Sequence, residues 1–310
     1  MSISARRWRS ELRDLLELFL LPGLAVCLPW SWCLRVFAWL ARQPWLYRNE
    51  VERAVRQAAA SGVLQGDPSQ WAATRRLTTL IDHADYFLVR YRGLPWMRKV
   101  FEVRGQWPGC EAPGLVCTFH WGCGAWALPH MRAAGLNVHA LVAALDTDCF
   151  KGRRVLHAYA KARTAMVKQQ LGRATLDVSA SLRPVLETLH KGEQILAVLD
   201  VPADQVSASQ CVTLLGLQAR VPTAMLRLAV KQRIPVTLFL AGQKTDGRRF
   251  LEILPMGVHA DLDVLLHALY AELDRVLREN PAAWHFWGEA ERFFTRVDTD
   301  NVPSNELKKD

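Results

Sequence analysis

The sequence predicts an α/β fold with a mostly parallel central sheet flanked by helices, and three observations carry that expectation. Short apolar runs recur at 114–120 (GLVCTFH), 137–145 (NVHALVAAL), 194–200 (QILAVLD) and 234–242 (IPVTLFLAG). Their continuous apolar character is that of strands covered on both faces, not of strands with one wet face. Helical stretches separate them, at 121–134, 152–171, 178–191 and 222–233, and such alternation implies a largely parallel sheet. Finally, 310 residues suit one large α/β domain with a helical preface.

The preface is residues 1–47. Arg6, Arg7 and Arg9 precede an uncharged run from Leu18 to Leu34 that Arg35 closes. At about 17 residues the run sits at the lower limit for a membrane span. Pro22 and Pro29 interrupt it, and no small-residue cleavage site follows, so it does not resemble a removable signal peptide. A short, Trp-flanked apolar segment between Arg clusters is expected to lie on, or dip into, one leaflet. The competing expectation is a helical hairpin packed on the core. A full crossing with the basic terminus inside would put the rest of the chain on the far side, which a monotopic placement avoids.

Residues 48–297 are expected to form the α/β domain. Their first part, 48–66, is polar and rich in Ala and Arg and ends in SGVLQGDPSQ, where Gly, Asp and Pro mark a turn. Beyond it Trp71, Leu77, Ile81, Ala84, Phe87 and Leu88 share one helical face. The strands and helices named above follow. Residues 298–310, closing on NVPSNELKKD, form a polar tail expected to fray.

The formal net charge of +9 calls for an anionic partner: nucleic acid, anionic lipid or an acidic protein. No RNP, zinc-finger or helix-turn-helix pattern is present, so nucleic acid is set aside. Twelve Trp exceed what a core of this size uses, and point to apolar ligands or a membrane interface. Seven Cys without a CxxC pair suit reduced core residues of a cytoplasmic-facing protein. Cys117, His120 and Cys123 are close in sequence, but their spacing is not that of a zinc knuckle, and no metal is expected.

In a parallel sheet the ligand site lies beyond the carboxyl ends of the strands. His120 closes the first apolar run and Asp200 the third, so both are expected at one rim. Gly122, Cys123 and Gly124 follow, where small residues would leave helix N-terminal N–H groups open to an oxyanion.

Taken in order, these stretches are similar to a known family. The apolar N-terminal segment, LIDHADYFLVRYRG, the strand ending in His120 followed by small and aromatic residues, Arg163 in YAKARTAMV, ILAVLD leading to VPADQ, VTLLGLQARVPTAMLRLAVKQRIPVTLFLAG and the closing ENPAAWHFWGEAERFF together resemble the late acyltransferases of lipid A biosynthesis, the lauroyl/myristoyl type, within the lysophospholipid acyltransferase-like superfamily. The resemblance implies transfer of a fatty acyl group from acyl carrier protein or coenzyme A to a hydroxyl or amine, usually on a membrane lipid. It also implies a glycerolipid acyltransferase-like fold at the cytoplasmic face of a bacterial inner membrane, an anionic membrane surface as partner, and no cofactor.

The family's histidine is the general base, and four residues separate it from an Asp or Glu that orients it. Here that position is Ala125. Three explanations remain open: another acid serves, with Asp200 first and Asp146 and Asp148 behind it; His120 works alone; or the site binds without turnover, as in a catalytically impaired lipid-binding protein. Further candidate substrate contacts are Arg163 and Arg220 toward phosphate or headgroup, Thr223 at a helix start, and Trp121 and Trp126 along an acyl chain. Each has a plainer structural alternative, as a solvated cation, a helix-start residue or a core aromatic. Cys123 is an alternative acyl-accepting nucleophile, for which no neighbouring cation is evident.

Overall fold

The computed structural model describes residues 3–142, 150, 152–177, 181–206, 208–244 and 247–294. Asp146, Asp148 and the 298–310 tail lie outside the described residues.

The chain is α/β. Seven strands form one sheet in the order β1 (Phe101–Arg104), β9 (Arg249–Gly257), β8 (Val236–Gln243), β2 (Gly114–Thr118), β5 (Gln194–Val198), β3 (Val138–Val142) and β4 (Leu176–Asp177). From β8 to β4 every neighbouring pair is parallel. β9 runs antiparallel to β8, and β1 pairs parallel with β9. β2, β5 and β8 are buried along nearly their whole length, because helices cover both faces of the sheet.

The apolar runs do not announce β9, whose buried and more accessible residues alternate. Nor do they announce the separate hairpin of β6 (Ser209–Leu214) and β7 (Leu217–Pro222). Its two turn residues, Leu215 and Gly216, both have positive φ, the conformation a two-residue hairpin turn needs to match strand twist. Leu215 tolerates it while its N–H donates to the Asp274 carboxylate. Asp274 sits on α11 (Leu262–Glu279), which Asp261 caps by accepting from the N–H groups of Asp263 and Val264.

The preface folds as α1 (Ile3–Leu15), a π-helical turn (Leu16–Leu20), α2 (Leu21–Cys27) and α3 (Trp30–Ala41). Leu18, Ala25, Cys33, Phe37 and Leu40 share one core with Leu80, Ile81, Ala84 and Leu88 of α5 (Pro68–Tyr91). All three carboxylates of residues 1–47 have partners, two of them in the domain. Glu11 accepts from the N–H groups of Arg154 and Val155 at the start of α8 (Arg154–Leu171), Asp14 pairs with Arg153, and buried Glu17 accepts from the Tyr47 N–H. The outward side is rich in apolar and cationic residues: Trp8, Leu12, Leu15, Leu20, Trp32, Trp39 and Trp45 are exposed, as are Arg35 and Arg42. Among the described residues, no helix is long and apolar enough to cross a membrane.

Candidate functional site

The register of the central strands creates the site. β2 and β5 are parallel neighbours in which Thr118 pairs with Val198. Two residues further along each chain stand His120 and Asp200, so equal run-out from a paired position brings their side chains together. The His120 ring lies with Nδ1 2.9 Å from Asp200 Oδ1, and the His120 backbone N–H donates to both carboxylate oxygens at 2.8 Å. A carboxylate only accepts, so Nδ1 carries a proton, and in the neutral ring Nε2 keeps its lone pair. The ring is 40% exposed while the Asp200 side chain is 2% exposed: the acid is enclosed and the imidazole reaches solvent. Among the described residues nothing bonds Nε2. Phe286 packs edge-on to the ring with centroids 4.7 Å apart.

Asp200 is held from a third side by Trp284, whose Nε1–H donates to Oδ2 at 2.8 Å. Trp284 belongs to the stretch after α11, which the preceding loops grip repeatedly. Gly122 N–H donates to Ala283 O, His285 N–H to His120 O, and the His285 ring to Gly122 O. Trp121 Nε1–H donates to Asn280 O at 3.1 Å. Behind this stretch Arg75 donates to the carbonyls of Trp284 and His285 and pairs with Glu50 on α4 (Arg48–Ala60).

Two of the N–H groups that the sequence suggests as open after His120, those of Gly122 and Cys123, are occupied by the fold. The Gly122 N–H is taken by Ala283 O and the Cys123 N–H by Ala241 O. Glycine at 122 serves close packing instead: its φ is +70°, and an added Cβ would lie 2.1 Å from Ala241 O. Gly124 opens a 3₁₀ turn (Gly124–Trp126) that precedes α7 (Ala127–Ala133). A Cβ there would make ordinary contact with Phe239. The helix therefore begins later than expected, because residues 121 and 122 are spent on bridges to Trp284 and Ala241.

The two tryptophans are core residues rather than walls of an open pocket. Trp126 is fully buried, stacks on Trp96, and donates to Asp85, which pairs with Arg249. Trp121 is buried against Phe250. Ala125 is buried in the same apolar cluster as Trp126 and Leu128. Burial pushes the Cys123 thiol well above its ordinary range, with Asp85 adding to the effect, which removes the thiolate a nucleophile requires.

Arg163 is committed to Asp82, with contacts of 2.6 and 3.2 Å. Burial alone would raise the Asp82 carboxyl, but Arg163 and His285 outweigh it and hold it below the usual carboxylate range. Beside this pair, His83 Nδ1 is 2.7 Å from the Tyr159 hydroxyl, and burial pushes the His83 ring down to about 3. Arg220 is on the β6–β7 hairpin, its N–H bonded to Phe293 O and its guanidinium exposed near Ser209. Buried Thr223 precedes α10 (Ala224–Gln232), its hydroxyl accepting from Arg227. Neither contacts His120.

Sequence reasoning overlooked Trp284, Arg75 and His285. The available signal was the dense aromatic stretch ENPAAWHFWG, with more indole than a surface ending needs. No protein-family model matches the chain, and no curated protein matches it significantly.

Proposed function

We propose that the protein is an acyltransferase that moves a fatty acyl group from an acyl carrier protein or coenzyme A thioester to a hydroxyl or amine on a membrane lipid or related acceptor. The observation that carries this reading is the His120–Asp200 pair, with an enclosed acid fixing Nδ1–H and an accessible Nε2. His120 Nε2 takes the proton from the acceptor as its oxygen or nitrogen attacks the thioester carbonyl. The tetrahedral intermediate collapses, the carbon–sulfur bond breaks, and the imidazolium returns the proton to the departing thiolate. Asp200 stabilises the imidazolium in between. No cofactor enters this scheme. The resemblance described above supplies the choice of acyl chemistry among the reactions that a His–Asp pair can serve.

The outward face of residues 1–47 supports a monotopic position on the cytoplasmic side of a bacterial inner membrane. Along α3 and its capping residue Arg42, Trp32, Arg35, Trp39 and Arg42 follow one another at spacings of three and four residues and all are exposed. Tryptophan settles at the headgroup level and arginine meets anionic lipid, while the segment's carboxylates are turned inward.

The test is thiol release and acyl transfer by the purified full chain in detergent, offered acyl carrier protein and coenzyme A thioesters with lipid extract as acceptor, alongside lipid mass spectrometry of cells with and without the gene. Transfer that disappears in the His120→Ala variant supports the reading. A protein that binds acyl donors and neither releases thiol nor alters any lipid overturns it in favour of a binding protein on the same scaffold.

A further inference from the structure

We infer that Trp284, backed by Arg75, is the positioning element of the His120–Asp200 pair, so that the stretch after α11 completes the catalytic geometry without touching substrate. This rests on the acyl-transfer reading for its kinetic consequence but not for its structural one.

Asp200 follows a strand end, where a side chain has rotational freedom unless both oxygens are engaged. Oδ1 takes the imidazole Nδ1–H. The backbone N–H of His120 is shared between the two oxygens. Among the described residues, the Trp284 indole is the one side chain that donates to Oδ2, and with it the carboxylate plane is fixed. The indole cannot swing away, because Trp284 is 1% exposed and packs edge-on against Trp287 and Phe293.

Its backbone is equally constrained. Arg75, itself 2% exposed, donates to Trp284 O at 2.7 Å and to His285 O at 3.1 Å. A buried guanidinium needs its charge met, and Glu50 meets it through both Nε and Nη2. The chain Glu50–Arg75–Trp284–Asp200–His120 is thus continuous, each link a charge-assisted or buried hydrogen bond. His285 adds a second grip on the loop that carries His120, through its N–H to His120 O and its ring to Gly122 O. Two contacts of this stretch, the Trp284 indole to Asp200 and the His285 N–H to His120 O, go to the pair itself.

The consequence is tautomer control. With Asp200 fixed, His120 is held as the Nδ1–H form with Nε2 free to accept a proton. With Oδ2 released, the carboxylate can turn about its own bond, its hold on Nδ1–H weakens, and the neutral ring relaxes toward the mixture found in free imidazoles.

The experiment is Trp284→Phe, which keeps an aromatic ring and deletes the N–H, examined with ¹⁵N-labelled histidine in the full chain in detergent. His120 resonances are assigned by their loss in His120→Gln. The wild-type ring is expected as a single Nδ1–H tautomer and the Trp284→Phe ring as a mixture. In transfer assays kcat should fall by about tenfold or more with KM changed less than about twofold, the pattern of a lost transition-state interaction. Glu50→Gln should give a smaller shift of the same kind. If Trp284→Phe fails to fold, benzothienylalanine at position 284 makes the same deletion with the bicycle intact. An unchanged tautomer in a folded variant overturns the inference. A shifted tautomer in a protein that transfers no acyl group would leave the positioning role standing and remove the acyl-transfer reading instead.

Discussion

His120 and Asp200 each stand two residues beyond a Thr118–Val198 pairing in adjacent parallel strands, and their side chains meet at 2.9 Å. Because strand register sets this distance, the pair is rigid, and its two members should fail together. His120→Ala is expected to lower acyl transfer by at least about a hundredfold, the usual scale for losing a general base. Asp200→Asn should cost nearly as much: the amide NH₂ would face a donor, whether the His120 ring, the His120 N–H or the Trp284 indole, and the wrong tautomer would follow. Initial rates with a saturating thioester donor measure both. An Asp200→Asn protein with wild-type rates would leave His120 to act alone.

How much of this was legible in the sequence follows from what each feature depends on. The strands at 114–118, 138–142, 194–198 and 236–243 show themselves because a two-sided core demands unbroken apolar residues. The rim position of His120 and Asp200 follows from those strand ends. β9 escapes notice because its residues alternate between core and solvent and no unbroken apolar run marks it. The fates of Arg163 and Trp126 were illegible for a different reason. Each is taken by a carboxylate on α5, Asp82 or Asp85, and such long-range polar pairing has no local signature. Gly122 misleads in the same way, its N–H being spent on Ala283, over 150 residues away.

Ala125→Glu places a carboxylate where the resembled acyltransferases carry their acid, and the structure predicts that it does harm. Ala125 is 7% exposed within an apolar cluster, so a carboxylate there would be buried without a donor, at a cost of several kcal/mol. Lower soluble yield and a reduced melting temperature are expected, with no gain in transfer to a conventional lipid acceptor. A rise in activity would mean that the site has room for its missing acid and that Asp200 does not replace it.

Membrane attachment should follow the Trp and Arg residues of α3. Arg35→Gln with Arg42→Gln is expected to weaken co-sedimentation with anionic vesicles by about fivefold per residue, on the scale of about 1 kcal/mol for each cation at such a surface. Neutral vesicles should show little effect. Trp32→Ser with Trp39→Ser should weaken binding to both. Equal binding of all variants to anionic vesicles at low salt would place the attachment elsewhere. A chain beginning at Arg48 is expected to aggregate rather than gain solubility, because its removal of residues 1–47 uncovers Leu80, Ile81 and Leu88.

Acid should destabilise the protein through His83. Burial is the first cause that depresses its ring, Asp82 opposes, and Arg163, His285 and Arg75 add to the depression, leaving it at about 3 against an ordinary 6.5. The folded chain therefore declines a proton that the unfolded chain accepts below 6.5, so stability falls as pH drops from 6.5 toward 3. The slope is about 1.4 kcal/mol per pH unit for one such group, or about 2 kcal/mol between pH 6.5 and 5. His285, also lowered first by burial, acts in the same direction. Asp82 does not enter this window, because a depressed carboxyl withdraws its stabilisation only as pH falls below its ordinary 3.8. Glu17, raised by burial, works oppositely, losing stability as pH rises above 4.5, and it cancels when two variants are compared. Urea midpoints at pH 7 and pH 5 should therefore lie closer together for His83→Gln than for the wild type, whatever the variant's absolute stability. Equal separations in the two proteins would mean that the His83 ring takes up its proton in the folded state, and that the interior around Tyr159 is wetter than its packing implies.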